Sequence, residues 1–263
     1  MKTSLIACIL CSAAWAQTTV APKAATAAPA AKQTKAAAPK TAKASPAAAK
    51  ASPAAAKAAP ATAKAAPATA KGATAMDLLK PETVKGKPPG IFIVRLETSK
   101  GNIDIRVVRA WAPNGVERFY NLVRAGYYDN NYFFRVMAFM AQVGISSRPD
   151  VNKIWEDRTL FDDRVIQTNK RGMVTFAAMS APNTRSTQFF INKKDENTYL
   201  DGYKFAPFGE VVDGIAVVDQ IYSGYGEPPV QDELSAKGEP FVLRSYPRMD
   251  KIVKASILQV VEP

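Results

Sequence analysis

Residues 133–142, with the sequence FFRVMAFMAQ, and residues 182–191, with the sequence PNTRSTQFFI, decide the fold of this chain. Each stretch places polar side chains among large apolar ones. In the first, Arg135 and Gln142 are surrounded by phenylalanine and methionine. A strand does not normally place such residues inward unless they face a ligand groove. The pattern therefore predicts an apolar pocket with a few fixed hydrogen-bond donors.

Taken together, the two stretches resemble the cyclophilin family of peptidyl-prolyl isomerases. Members commonly show F-[HF]-R-V/I followed by F-M-x-Q, and later P-N-T-x-x-[ST]-Q-F-F-I. A third segment, residues 199–202 (YLDG) continuing to residues 208–212 (FGEVV), follows in the expected order. The motifs F-F-R-V at residues 133–136 and F-A-P-F-G at residues 205–209 resemble those of a bacterial branch of the family. We expect this chain to be an exported member of that branch. The resemblance covers residues 90–263 and says nothing about the first third of the chain.

The resemblance implies roles for ten side chains. Arg135 matches the family's catalytic arginine without a gap, and Gln142 matches the glutamine that holds this arginine and the substrate backbone. The substrate-binding residues that it implies are Phe139, Met140, Ala177, Gln188, Phe190, Tyr199, Leu200 and Phe205. From composition alone, the phenylalanine and methionine positions among these would be ordinary core, and the neighbouring polar pair favours the groove.

The chain departs from the family pattern inside both stretches. One residue is missing between Arg135 and Phe139, and one extra residue lies between Phe176 and Pro182. We therefore expect either a shifted Phe139 or a tighter bend before it. The position of the family's substrate-contacting asparagine stays open among residues 178–180.

Residues 1–16 place a lysine before a short apolar core and end in Ala-Trp-Ala, which predicts a signal peptide cleaved near Ala16-Gln17. The apolar core is shorter than the roughly 20 residues that a membrane-spanning helix needs. We therefore expect an exported protein, periplasmic or secreted. Both cysteines of the chain, Cys8 and Cys11, lie within this segment.

The chain contains no histidine. Together with the absence of cysteine after residue 16, this excludes Ser-His-Asp catalysis, cysteine catalysis and the usual zinc ligand sets. Asp162 and Asp163 have no partner spacing that would indicate a metal site. We expect neither a metal nor a cofactor.

Residues 17–75 consist almost entirely of Ala, Pro, Lys, Thr and Ser, with a seven-residue repeat. A proline in every repeat breaks helices, and alanine buries too little apolar surface to offset the loss of chain entropy. The composition predicts a disordered linker that precedes an isomerase domain at residues 76–263.

The linker explains most of the net charge of +12. Nine lysines and no acidic residue lie within it, and Lys2 precedes it, so that 25 basic and 23 acidic residues remain for the rest of the chain. The linker is therefore either a solubilising spacer or an electrostatic contact with an anionic envelope surface. We expect no nucleic-acid partner, because the charge belongs to the tail and not to a folded face.

From residue 91 the pattern changes to short alternating strands. Apolar and polar residues alternate over residues 91–97 and again over residues 103–108, with a turn between them, which predicts a hairpin. A helix follows from Pro113 until Gly126, and a second helix is predicted at residues 215–222. Further strands are predicted at residues 132–144, 173–178, 188–192, 208–212 and 252–261. The fold class is mainly β: a closed eight-stranded antiparallel barrel, similar to cyclophilins, capped by two helices.

The sequence thus predicts a monomeric peptidyl-prolyl cis-trans isomerase that binds proline-containing peptides and unfolded proteins and assists the folding of exported proteins. The alternative is a noncatalytic proline-peptide binding or chaperone module on the same barrel. The changes of length beside the predicted pocket are the reason for keeping this alternative beside the isomerase.

Overall fold

The first strands show how alternation sets the fold. The computed structural model of the chain describes residues 76–228 and 230–261. Every second side chain is buried over most of the length of β1 (Ile91–Thr98) and β2 (Gly101–Val108). The two strands pair antiparallel, and the pairing begins with Thr98 opposite Gly101. Gly101 has φ +135°, a conformation that glycine adopts without strain. The predicted hairpin is confirmed.

Seven further strands complete the sheet in the described part of the chain. They are β3 (Asn131–Tyr132), β4 (Arg135–Val136), β5 (Met140–Val143), β6 (Met173–Phe176), β7 (Phe189–Asn192), β8 (Pro207–Asp213) and β9 (Lys251–Val261). All nine strands form one antiparallel sheet in the order β3-β9-β1-β2-β8-β6-β7-β5-β4.

The prediction of a closed eight-stranded barrel is wrong, because the sheet is open and curled and contains nine strands. Residues 132–144, predicted as one strand, form three. The two ends of the sheet, β3 and β4, follow each other in the chain with two residues between them and do not pair with each other. Loops take the place of the missing ladder: Phe133 N donates to Asp250 O at 2.9 Å, and Val136 N donates to Gly226 O at 3.1 Å.

Five α-helices surround the sheet within the described residues. They are α1 (Pro113–Arg124), α2 (Pro149–Trp155), α3 (Ile215–Gln220), α4 (Gln231–Lys237) and α5 (Glu239–Ser245). The two helices predicted from the sequence correspond to α1 and α3, and the predicted number of helices was therefore too low. Two 3₁₀ helices, Pro81–Thr83 and Asp195–Tyr203, are also present. None of the helices in residues 76–228 and 230–261 is both long and apolar enough to cross a membrane.

Helix α1 covers the inside of the curled sheet. Its Phe119 ring lies 4.8 Å from the ring of Phe208 and 5.4 Å from that of Phe189, between centroids. Asp163 caps the start of the helix, since its carboxylate accepts from Asn114 N at 3.0 Å and Gly115 N at 2.8 Å. An anion at this end also complements the helix dipole. The contacts of Phe119 with Phe189 and Phe208 therefore hold α1 against β7 and β8.

The signal peptide predicted at residues 1–16 and the linker predicted at residues 17–75 lie outside the described residues.

Candidate active site

The hairpin of β4 and β5 positions the two residues predicted to be catalytic. Arg135 and Gln142 are directly paired across it, so their side chains leave the same face of the sheet. Met137 N donates to Met140 O at 2.8 Å, which closes a two-residue turn at residues 138–139. The stretch in which one residue of the family pattern is missing is thus a two-residue turn, and Arg135 pairs directly with Gln142.

The guanidinium of Arg135 lies between two acceptors. Nη1 donates to Gln142 Oε1 at 3.3 Å, and Nε lies 2.8 Å from Glu227 Oε1. The Nε–H does not point at an acceptor, so the contact with Glu227 is ionic rather than a directed hydrogen bond. The side chain of Arg135 is only 3% exposed, and guanidinium keeps its charge when buried. The site therefore holds a fixed cation that is nearly shielded from water.

A second amide extends this arrangement. Gln142 Nε2 donates to Gln188 Oε1 at 2.8 Å, and the side chain of Gln142 is fully buried. Gln188, predicted from the resemblance to line the groove, therefore lies two hydrogen bonds from the guanidinium of Arg135.

Six of the eight predicted substrate-binding residues meet in one apolar group beside this polar chain. We call it the pocket cluster, and it consists of the half-buried Phe139 and the buried Met140, Ala177, Ala178, Phe190, Leu200 and Phe205. The rings of Phe190 and Phe205 meet edge to face with centroids 5.8 Å apart, a favourable arrangement for aromatic pairs. The structure therefore brings six of the residues that the resemblance implied into one cluster.

The pocket cluster fills its own space. Met140 and Phe190 are fully buried, so they pack against their neighbours instead of lining an open cavity. Cavities of about 580 and 400 Å³ lie elsewhere, one beside Trp155 and the other beside Tyr222, and neither is lined by a member of the cluster. The exposed part of the cluster is therefore carried mainly by its half-buried member, Phe139.

Tyr199 is the predicted residue that lies apart from the cluster. It belongs to the 3₁₀ helix Asp195–Tyr203, and its side chain is 53% exposed. Burial of the remainder raises the pKa of its phenol, and the charge of Arg135 acts in the opposite direction. Tyr199 therefore stays neutral near pH 7 and lies within the electrostatic range of Arg135.

A buried polar network that the sequence did not indicate supports the pocket cluster. Asn169 Nδ2 donates to Asp201 Oδ1 and to Phe205 O, each at 2.7 Å. Its Oδ1 accepts from Thr175 Oγ1 at 2.8 Å and from Asn192 Nδ2 at 3.2 Å. The network ties the segment that carries Leu200 and Phe205 to β6 and β7. No motif marks Asn169, because its partners are separated from it by up to 36 residues.

The two aspartates considered as metal ligands have structural partners. Asp162 forms an ion pair with the buried Arg185, whose Nη2 also donates to Lys204 O. Asp163 caps α1, as described above. Within residues 76–228 and 230–261 no group of three or more acidic side chains is arranged to hold a metal ion.

The segment with the extra residue is a surface loop at the rim of the pocket cluster. Met179 N donates to Thr184 Oγ1 at 2.9 Å, and Thr184 Oγ1 donates to Ala181 O at 2.9 Å. Ala178 is buried in the cluster, whereas Met179 is 39% exposed. The insertion is therefore absorbed by a loop that Thr184 closes, outside the strands.

Comparison with known proteins agrees with this geometry. A family model described as "Cyclophilin type peptidyl-prolyl cis-trans isomerase/CLD" matches residues 93–237. "Peptidyl-prolyl cis-trans isomerase B" of Escherichia coli (strain K12) is 33% identical over 136 residues, which cover 49% of this chain and 83% of that protein. "Peptidyl-prolyl cis-trans isomerase-like 3" of Rhizopus delemar is 38% identical over 133 residues, which cover 46% of this chain and 75% of that protein.

The fold is shared as well. A crystal structure of a Cryptosporidium parvum cyclophilin type peptidyl-prolyl cis-trans isomerase superposes with a TM-score of 0.50 at 22% identity, covering 66% of this chain and 99% of that one. The chain belongs to the cyclophilin-type peptidyl-prolyl cis-trans isomerase family.

Proposed function

We propose that this chain catalyses rotation about Xaa-Pro peptide bonds. The observation that carries the proposal is the buried guanidinium of Arg135, fixed on the β4–β5 hairpin beside an apolar cluster of aromatic and methionine side chains. Family membership supports the same activity. An Xaa-Pro bond rotates over a barrier of about 18–20 kcal/mol, because resonance gives its C–N bond partial double-bond character.

The arrangement suits a reaction in which no covalent bond is made or broken. Rotation becomes easier when the prolyl nitrogen loses conjugation, and a charged donor beside that nitrogen favours this state. Arg135 supplies the donor and Gln142 holds it, while the pocket cluster offers an apolar surface for the proline ring through its half-buried Phe139. Water is largely excluded from the guanidinium, which strengthens its electrostatic effect.

An uncoupled isomerisation assay tests this function. The full chain is mixed with an Ala-Xaa-Pro-Phe peptide that is enriched in the cis form, and the approach to equilibrium is followed by absorbance. We expect acceleration in proportion to the protein concentration, with a solvent deuterium isotope effect close to one because no proton is transferred. Peptide binding without acceleration would instead establish the noncatalytic binding module.

That alternative is favoured by one specific observation. The side chain of Arg135 is only 3% exposed, so little of the guanidinium meets solvent. A module that only binds proline segments would use the apolar surface of the pocket cluster and would not need the arginine. Binding and isomerisation of the same peptide, measured for the full chain and its Arg135→Ala variant, separate the two functions: an isomerase loses acceleration in the variant, whereas a binding module accelerates in neither protein.

We further propose that the protein acts outside the cytoplasm, on proline-containing segments of exported proteins while they fold. The composition of residues 1–16 supports export, and the nine lysines of residues 17–75 support contact with an anionic envelope surface. Salt-dependent retention of the full chain on envelope fractions tests this contact. A variant with these lysines replaced by glutamine should be released at low salt, and equal retention of both proteins would reject the contact.

A further inference from the structure

The segment between α3 and α4 crosses the outer edge of β4. Val136 N donates to Gly226 O at 3.1 Å, so the segment continues the sheet beyond its last strand. Gly226 has φ +61°, a left-handed conformation that favours glycine. This turn brings the next side chain, Glu227, back over β4 to the guanidinium of Arg135.

Glu227 supplies the charge that the buried arginine needs. Burying a guanidinium costs free energy unless an opposite charge and hydrogen bonds compensate. Gln142 is neutral, and within the described residues the ion pair of Arg135 is with Glu227. The side chain of Glu227 is 44% exposed, so part of it stays in contact with water.

One hydrogen bond and one ion pair also restrain the guanidinium of Arg135 from two sides. Glu227 lies at Nε and Gln142 lies at Nη1. Nη2 donates to no acceptor among the residues that the structure describes. A planar guanidinium held at two of its nitrogens presents the third in one direction. The contacts with Glu227 and Gln142 therefore leave Nη2 as the donor for a bound peptide.

We propose that Glu227 is a positioning residue for Arg135. It does not touch the substrate, and it acts by holding the charged guanidinium in the one orientation from which Nη2 reaches the rotating bond. The inference rests on the proposed isomerase function. Since it concerns alignment in the transition state and not the apolar surface that binds proline, loss of Glu227 should lower kcat and leave KM nearly unchanged.

Substitution in the full chain tests the proposal. Glu227→Gln keeps the shape and removes the charge, and we expect a kcat about tenfold lower with KM within about twofold, because small misalignments of a catalytic group are costly. Glu227→Asp keeps the charge and should recover part of the loss. Glu233→Gln, at a surface carboxylate paired with Lys237, is the matched control and should leave kcat unchanged.

A backbone variant separates position from charge. A methyl group at Gly226 would meet no atom within 4 Å, so Gly226→Ala acts through its φ of +61° alone. We expect it to displace Glu227 and to lower kcat in the same way as Glu227→Gln. Gly90→Ala, at an equally open position without a positive φ, is the control.

The contact itself is measured independently of activity. The ¹⁵N-edited NMR signal of Arg135 Nε–H, assigned with Arg135→Lys, should shift and broaden in Glu227→Gln and stay in place in Glu233→Gln. If the full chain accelerates no peptide, the proposed isomerase function fails, and the positioning role of Glu227 for that reaction fails with it, even if the signal shifts. With an active chain, an unmoved signal, an unchanged kcat or a higher kcat in Glu227→Gln would each overturn the positioning role. A higher kcat would identify Glu227 as a competitor of the substrate.

Discussion

Replacing Asn169 by alanine should destabilise the fold and loosen the pocket cluster. The side chain of Asn169 is fully buried and uses its whole hydrogen-bonding capacity, with two donated and two accepted bonds. After truncation, Phe205 O and Thr175 Oγ1 lose the partners that the structure gives them. Asp201 keeps a bond of 2.9 Å from the backbone N–H of residue 169, and Asn192 Nδ2 keeps Met173 O.

Two buried groups are therefore left without a partner. Each such group costs about 1–3 kcal/mol, so the free energy of unfolding should fall by about 3 kcal/mol. The loss should also reach the site, because Phe205 is held through its carbonyl by Asn169. We expect weaker peptide binding together with the lower stability.

Urea unfolding followed by tryptophan fluorescence measures the effect in the full chain. Asn102→Ala is the matched control, since Asn102 is exposed in β2 and should change the unfolding free energy by less than about 0.5 kcal/mol. A loss below about 1 kcal/mol in Asn169→Ala would refute the reasoning, because the network would then contribute no more than ordinary surface contacts.

Three further predictions concern pH and backbone geometry. The chain has no histidine and burial raises the pKa of Tyr199, so the isomerisation rate should be flat between about pH 6 and 8, and a bell-shaped profile would contradict the mechanism. A Cβ at Gly144, which has φ +116°, would lie 2.6 Å from the Cα of Gln188, so Gly144→Ala should cost about 3 kcal/mol in urea unfolding and lower kcat/KM. Burial raises the pKa of Tyr127 to about 12 and also raises that of Tyr128, so the folded state favours their protonated forms. Their contribution to stability should be complete below about pH 10 and be lost as pH rises toward 12, and Tyr128→Phe should reduce this loss.

The sequence predicted the mainly β fold, and most of the residues that it indicated for the site lie side by side in the structure. Alternation over β1 and β2 and the periodicity of α1 are local signals, and both survive in the structure. The spacing of seven residues between Arg135 and Gln142 became a direct cross-strand pair. Such features depend on neighbours in the chain, which is why a sequence pattern can predict them.

Closure of the sheet could not be predicted in the same way. Whether β3 and β4 pair depends on the two residues between them and on loops that supply acceptors from residues 226 and 250. Helices α4 and α5 are seven residues each and are stabilised by packing of Val230, Leu234 and Val242 against Phe134 and its neighbours. Helices of this length are unstable alone, so tertiary contacts determine whether they form.

The partners of Arg135 and Asn169 show the same limit. Glu227 reaches Arg135 from 92 positions away, and its approach depends on the turn at Gly226. No spacing or composition signal accompanies a contact of this kind. The sequence therefore indicated Arg135 and the apolar residues of the pocket cluster, but neither the counterion of Arg135 nor the network beneath the cluster.

The central claim is that the fixed charge of Arg135 lowers the barrier to rotation. Exchange NMR of an Ala-Xaa-Pro-Phe peptide at equilibrium measures the cis-trans rate directly in the presence of the full chain or its Arg135→Ala variant, at protein concentrations where both bind the peptide. The account predicts clear acceleration by the full chain and a loss of about 100-fold or more in the variant, as for removal of a single electrostatic donor. Equal acceleration by both proteins would contradict it.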